Sequence, residues 1–550
     1  MTTITELYPE YSLTSSIDTL RSKEYAHLDS EKHTYLDYTG SSLASASQLA
    51  HSSVRLSSTV YGNPHSINPS SHASTAAIDA ARLRILEHLN ASVEEYAVVF
   101  TANATGAARL VGESYPFASG KKFVLTADNH NSVNGLREFA DKKGSSTAYI
   151  PISSPDLRIY DEDVMHTLSS ARERRKAALE AGINRLTVPL IGCLFERKTH
   201  QTIRPISCDA SALSDGASAL RKVSLKPSWR SLSPASKCTG VTLAPPSEKQ
   251  KRRGLFAYPA QSNFTGVHHP LSWISLAQDR GYDVLLDVAA YLPTNNLDMS
   301  VIKPEFLIIS WYKLFGFPTG VGCLIAKKEA LSRLKRPWFS GGTVQAVTVG
   351  LPWHLMAKGA EGFEDGTVNF LSIPDITFGL EWISAVGLEV IGVRVRCLTG
   401  WFLKRLAGLR HSDGMPMTKI YGPQSLDMRG GTVAFNLLDR DGKVVDERLV
   451  GQESAAAGIS LRTGCFCNPG AGEASFGLNV TAMRRLAKAK TLTRGMNEFI
   501  ELLGLPSGGA IRVSFGIAST SADVDKFFDF VESTYRDRVA YSEGLAPRKS

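Results

Sequence analysis
Six short apolar runs recur along this chain with helical patterns between them, and that alternation restricts the fold more than any other feature. Val98-Val99-Phe100, Phe123-Val124-Leu125, Val188-Pro189-Leu190-Ile191, Leu255-Phe256-Ala257-Tyr258, Val284-Leu285-Leu286 and Phe306-Leu307-Ile308-Ile309 read as strands. Ser74 to Leu89 and Asp161 to Ala181 read as helices. Strands that alternate with helices build βαβ units and a mostly parallel sheet covered on both faces. Ligands bind such sheets at the carboxyl ends of the strands. Thr101, Asp287 and Ser310 each follow an apolar run directly and are expected on one rim. Beyond about residue 380 the pattern changes. Thr432 to Asn436 and Ala510 to Phe515 read as strands, and Asp523 to Arg536 as a closing helix. The expectation is an α/β fold with a large, mostly parallel domain and a smaller C-terminal α+β domain. At 550 residues the chain exceeds one ordinary domain. The expected divisions are an arm at 1–34, the large domain at 35–375, the small domain at 376–536, and a frayed tail at 537–550.

The net charge of +8 would suit nucleic acid if it were spread over a face. It is not. Arg221 to Arg253 holds nine Lys and Arg against one acid, Glu248, which equals the whole-chain excess. The segment is rich in Ser and Pro and reads as a basic surface insertion at 221–253, with no helix-turn-helix or zinc-finger pattern. No apolar run is long enough to span a membrane. Met1 to Glu31 lacks a basic segment leading into an apolar core, so a cytoplasmic location is expected. Cys193, Cys208, Cys238, Cys323 and Cys397 are scattered, and Cys465 and Cys467 form a C-x-C pair. Seven cysteines suit neither a disulfide framework nor a zinc site; reduced thiols and no metal are expected.

Asp287 ends one apolar run, and Lys313 follows another in Ser310-Trp311-Tyr312-Lys313-Leu314-Phe315-Gly316. An acid at one strand end and a lysine at another are what a pyridoxal phosphate (PLP) site needs: the amine forms the Schiff base and the carboxylate holds the pyridinium proton. Taken alone, the same residues also suit a helix cap and a solvated loop lysine. Thr101-Ala102-Asn103-Ala104-Thr105-Gly106 should open a helix, either as a plain N-cap or as a phosphate cradle. His130 follows another strand and could stack on a flat ring and relay protons, or serve only as a turn histidine. Gln261-Ser262-Asn263 offers an amide to a phenolic oxygen.

Together with Tyr35-Leu36-Asp37-Tyr38, Gly62-Asn63-Pro64-His65-Ser66, Phe256 to Phe264 and Arg462-Thr463-Gly464-Cys465-Phe466-Cys467-Asn468-Pro469-Gly470, these motifs carry a resemblance. The chain resembles the class V aminotransferase-like, fold-type I PLP enzymes, and within them the cysteine desulfurase domain of molybdenum cofactor sulfurases. The resemblance runs from about Tyr35 to Phe530. It implies that Lys313 is the Schiff-base lysine and Asp287 the partner of the pyridine nitrogen. Thr105, Ser310 and the Ala104 backbone would hold the phosphate. His130 would lie over the ring, and Asn263 would reach its hydroxyl. Thr367 would reach the phosphate of a neighbouring subunit, which implies a homodimer. Arg462 would fork the carboxylate of an amino acid substrate, L-cysteine. Cys467 would attack its sulfur and carry a persulfide toward an acceptor, with Cys465 as a resolving or relaying thiol.

The chain departs from that family in three places. The family's C-terminal cofactor-binding domain is expected to have no counterpart. Gly470-Ala471-Gly472-Glu473 stands where another cysteine usually follows, and Lys490 to Gly495 replaces a Gly-His-x-Cys-Gly-Asp element. These departures leave the acceptor unidentified. They also keep open a C–S lyase or an aminotransferase-type enzyme of secondary metabolism, for which Cys467 would be dispensable and Lys313 would not. A scaffold that binds a partner through its basic loop is the non-enzymatic alternative.

Overall fold
The computed structural model describes residues 3–64, 66–170, 172–174, 252–478, 481, 483–484, 496–541 and 544–545. Contacts divide the chain into one unit of Met1–Ser169 with Lys251–Ser550, and a second, Ser170–Gln250. Only residues 170 and 172–174 of the second are described. The run 188–191, the basic segment over 221–251, Lys490 to Gly495, and Cys193, Cys208 and Cys238 lie outside the described residues.

Seven strands form the main sheet: β1 (Tyr96–Thr101), β2 (Lys122–Thr126), β3 (Ser146–Ile150), β4 (Gly254–Pro259), β5 (Tyr282–Asp287), β6 (Phe306–Ser310) and β7 (Gly322–Lys327). Their order is β1-β7-β6-β5-β4-β2-β3. β7 is antiparallel to both neighbours, and every other pairing is parallel. The strands read as unbroken apolar runs because both faces are buried. Val99, Leu255, Ala257, Leu285 and Ile308 join one core. Val98, Phe256, Tyr258, Leu286 and Ile309 join the other. That is the period-2 alternation of a strand between two helical layers. Each Val, Leu, Ile or Phe so buried contributes about 1.5–3 kcal/mol.

The register brings the expected rim together. Thr101 and Ser310 both pair with Gly322, and Asp287 pairs with Pro259 and Ile308. A short helix, Trp311–Phe315, follows β6 without a linker and carries Lys313. It stops at Gly316, where φ is +78° and a Cβ would lie 2.1 Å from the Leu43 carbonyl carbon, so only glycine fits.

The helix expected over 161–181 is shorter. It spans Asp161–Leu168, and Ser169 is extended at φ −71°, ψ 146°. Ser170 Oγ then accepts from the Glu173 N–H at 3.1 Å. Serine oxygens compete with the helical ladder in this way, so the paired serines end one helix and cap the next turn.

Four more strands make an antiparallel sheet: β8 (Thr418–Tyr421), β9 (Thr432–Leu437), β10 (Arg462–Gly464) and β11 (Ala510–Ser514), in the order β8-β9-β11-β10. The closing helix spans Ser521–Tyr535. The N-terminal segment is stitched to this region: Thr34–Tyr35 pairs in parallel with Ile459–Ser460, and Asp37 bridges Ser514. At the start of the tail, Asp537 accepts from the Ser412 N–H at 2.7 Å and the Ala540 N–H donates to Asp439 at 3.4 Å. No single helix among the described residues is long and apolar enough to cross a membrane.

Candidate active site
A cavity of about 300 Å³ lies at the carboxyl rim of β1, β5 and β6. Ala104, Thr105, His130, Asn263, Asp287, Ser310 and Lys313 all line it, so seven residues from five separate stretches of chain meet where the topology predicts a ligand.

One end of the cavity is the start of the helix Ala104–Ser114. Asn103 caps it by accepting from the Gly106 N–H at 3.0 Å. The Ala104 N–H donates to Ser310 Oγ at 2.9 Å, and Thr105 Oγ1 lies 2.7 Å from Ser132 Oγ. Hydroxyls on Thr105 and Ser310 and the positive end of an eleven-residue helix suit an anion such as a phosphate, to which the Ala104 N–H can turn from Ser310.

Asp287 and Lys313 lie along the same cavity. The Ala289 N–H holds Asp287 Oδ1 at 2.9 Å, and the other carboxylate oxygen has no hydrogen bond to a described residue. Lys313 Nζ likewise has no hydrogen bond or ion pair among the described residues. Desolvation pushes the ammonium of Lys313 below its ordinary range; Asp287 opposes the shift and Arg512 adds to it. An amine kept partly neutral can attack a carbonyl.

His130 accepts from the Ser132 N–H at Nδ1, 3.1 Å. A backbone N–H can only donate, so the neutral ring carries its proton on Nε2. Burial lowers the pKa of His130; Asp287 opposes this, whereas Lys313 and Arg512 reinforce it. Burial and the contact at Nδ1 thus both favour the neutral imidazole.

The remaining expected residues are placed differently. Asn263 lines the cavity, but its amide is engaged by the cysteine loop: Nδ2 donates to Phe466 O at 2.8 Å, and Oδ1 accepts from Asn468 Nδ2 at 2.9 Å. Arg462 does not line the cavity; Nε and Nη2 donate to Asp37 Oδ2 at 2.9 and 2.6 Å. Cys467 is exposed and outside the lining, as is Cys465. Its carbonyl nevertheless accepts from the Asn131 N–H at 2.7 Å, so the thiol loop touches the His130 turn. Thr367 is exposed and accepts from Asn63 Nδ2 at 3.3 Å, away from the cavity of its own chain. No group of three or more metal-ligating side chains occurs among the described residues.

Three residues with structural importance here were legible in the sequence only as unassigned motif members or not at all. Asp37 binds Arg462 and also Arg512, whose Nη2 donates to Asp37 Oδ1 at 2.8 Å. Arg512 further donates to Asn263 O at 3.1 Å. Asp37 and Arg512 are 475 positions apart, so no local spacing signals the pair. Asn468 is fully buried.

Comparison with known proteins gives the same architecture. The family described as Aminotransferase class-V matches residues 34–170 and 246–527. Molybdenum cofactor sulfurase of Solanum lycopersicum is 32% identical over 534 residues, covering 94% of this chain and 57% of the relative. The Homo sapiens protein of that name is 31% identical over 540 residues, covering 94% and 51%. The chain thus spans about half the length of the curated relatives it matches. Among solved structures, the apo cysteine desulfurase of Thermococcus onnurineus superposes with a TM-score of 0.65 at 19% identity, covering 94% of this chain and 98% of that one. The cysteine desulfurase CsdA of Escherichia coli gives 0.62 at 19%, with the same coverage. The cavity at the sheet rim, its lysine and carboxylate, and a match across most of the chain agree: this chain belongs to the class-V aminotransferase family.

Proposed function
We propose that this chain is a PLP-dependent cysteine desulfurase, converting L-cysteine to L-alanine and leaving a persulfide on Cys467 for transfer to an acceptor. The observation that carries the reading is the convergence of Lys313, Asp287 and the Ala104–Thr105 helix start on one cavity, with the C-x-C loop bonded to its edge. The likeness to molybdenum cofactor sulfurases and cysteine desulfurases supports it.

The residues fit the cofactor. Ala104 N–H, Thr105 and Ser310 would hold its phosphate. His130 would cover the ring, and Asp287 would hold the ring nitrogen's proton through the oxygen left without a partner. When bound, PLP supplies an electron sink for the substrate Cα. Lys313 would hold the cofactor through its amine, and the same amine would carry protons at the substrate carbon. Arg462, oriented by Asp37, takes the substrate carboxylate. The Cys467 thiolate forms the S–S bond while the substrate's Cβ–S bond breaks with its electron pair on carbon. A proton completes alanine, so the step is redox-neutral.

A homodimer belongs to the same reading. The hairpin of Val344–Thr348 and Trp353–Met356 exposes Val347, Val349, Leu351, Trp353 and Leu355. Trp353 and Leu355 share one face of it, and exposed apolar side chains clustered in this way favour a protein partner. A second copy would cover it and bring Thr367 to the neighbouring phosphate.

The test compares wild type with Cys467→Ala and Lys313→Ala, each given L-cysteine and assayed for alanine, pyruvate and protein-bound sulfane sulfur. Alanine and persulfide that vanish in Cys467→Ala are expected. Pyruvate and sulfide that persist in Cys467→Ala but vanish in Lys313→Ala would replace this reading with a C–S lyase.

A further inference from the structure
The loop that carries both exposed thiols is clamped at its base. Phe466 and Cys467 both adopt φ of +54°, the left-handed region that side chains avoid. Two adjacent residues stay there only when their surroundings hold them. Asn468, fully buried, supplies much of that hold. Its Nδ2 donates to Asp128 O at 2.7 Å and to Asn263 Oδ1 at 2.9 Å. Its Oδ1 accepts from the Ala471 N–H at 3.2 Å, capping the helix Pro469–Ser475. The Asn131 N–H closes the ring of contacts on Cys467 O at 2.7 Å. Behind the loop, Gly470 packs so closely that a Cβ there would lie 2.0 Å from Ala127 O. Phe466 packs on Phe264 with ring centroids 5.2 Å apart, and the Arg512 guanidinium lies 4.9 Å from the Phe466 ring.

We propose that Asn468 is the positioning residue of Cys467. It ties the thiol loop to the two walls of the cofactor cavity, the Asp128–His130 turn and Asn263, and so fixes where the sulfur is received. This rests on the desulfurase reading for its chemistry, but the geometry stands without it. All the polar atoms of the Asn468 side chain are engaged, and its two donor contacts join stretches 340 and 205 residues away. A helix cap alone would need only Oδ1. The amide is required because the cavity side offers two acceptors, a carbonyl and Asn263 Oδ1. Asn263 in turn donates to Phe466 O at 2.8 Å, so a relay of donation runs from Asn468 to Asn263 and back onto the loop at Phe466.

The variant Asn468→Asp separates the two roles. It keeps the capping acceptor for Ala471 and removes both donors. Asn468→Ser, which also keeps a capping oxygen but cannot span the gap, is the second variant should a buried carboxylate prevent folding. Holoenzyme of each is compared with wild type by amide hydrogen exchange over 127–134 and 463–476, by PLP absorbance, and by alanine formation. Exchange at the Asn131 amide and through the loop is expected to quicken by about ten-fold or more. PLP absorbance should be retained. Maximal alanine formation should fall by about ten-fold, with KM for L-cysteine within about two-fold of wild type. Exchange unchanged in both variants would overturn the clamp. Faster exchange with alanine formation unchanged would also overturn the proposal, since the contacts would then serve stability alone. A wild type that forms no sulfane sulfur on Cys467 would sink the desulfurase reading instead, and exchange would still decide whether Asn468 holds the loop.

Discussion

Arg462 and Arg512 face each other across the pairing of β10 and β11, and one carboxylate, Asp37, binds them both. Two like charges directly opposite on a sheet repel. Asp37 turns that repulsion into a fixed geometry, with Oδ2 on Arg462 and Oδ1 on Arg512. The two arginines differ in what remains free. Arg512 is buried, with its side chain 4% exposed, whereas the Arg462 side chain is 52% exposed. Nη1 of Arg462 has no partner among the described residues. The cluster keeps one excess positive charge, and it faces outward on Arg462, where an incoming carboxylate could meet it.

Removing Asp37 should therefore be felt first in stability. Asp37→Ala strands the buried Arg512 guanidinium, and breaking such a pair from one side costs about 3–5 kcal/mol. Asp37→Asn keeps one acceptor oxygen but turns an N–H donor toward the other arginine, so it should recover only part of the loss. Urea denaturation of both variants checks this. Equal stability of wild type and Asp37→Ala would show that Arg512 finds another partner.

Arg462 should control substrate affinity more than folding. Losing a charge-assisted fork to a carboxylate costs about 1.5–3 kcal/mol, so Arg462→Ala should raise KM for L-cysteine by roughly 10- to 100-fold. Arg462→Lys should recover only part of this, since an ammonium cannot donate two parallel bonds. Steady-state kinetics with the PLP absorbance monitored separates this effect from loss of cofactor.

The lowered pKa of Lys313 has a consequence for the apoprotein. Desolvation holds the folded ammonium below the ordinary 10.5. Between the folded value and 10.5 the unfolded chain binds the extra proton, so the stability contribution of Lys313 rises with pH through that window and is flat outside it. Lys313→Met removes the titration. Denaturation of the apoprotein from pH 7 to 10 should show a shallower rise in Lys313→Met than in wild type. Parallel profiles would mean that Lys313 is solvated as an ammonium in the folded state.

The exposed hairpin should control assembly. Trp353 is 52% exposed and Val349 fully so. Trp353→Asp places a charge on the face it shares with Leu355. It should shift sedimentation from dimer to monomer and weaken PLP retention, because Thr367 of the neighbour would be lost with the interface. A wild type that sediments as a monomer would refute this assembly.

Much of this protein was written locally in its sequence. The strands around Val98, Val284 and Phe306 are legible because buried parallel strands have no polar face to interrupt their apolar runs. Asp287, Ser310 and Lys313 are legible because each stands at the end of such a run, and parallel topology sends those ends to one rim. Short-range physics also marks Asn103 and Gly316, a helix cap and a left-handed stop. What the tertiary structure decided is which residues hold these groups in place. Asp37 reaches Arg512 across 475 positions, and Asn468 joins Asp128 and Asn263 at the base of the thiol loop. It also gave two expected residues partners that no local pattern announces: the amide of Asn263 bonds the cysteine loop, and Asp37 anchors Arg462. The physical reason is the range of the forces. Helix, strand and cap preferences act over a few residues and leave periodic traces. A buried charge or amide needs a partner only once packing has removed water, and whichever polar group the folded chain brings beside it becomes that partner.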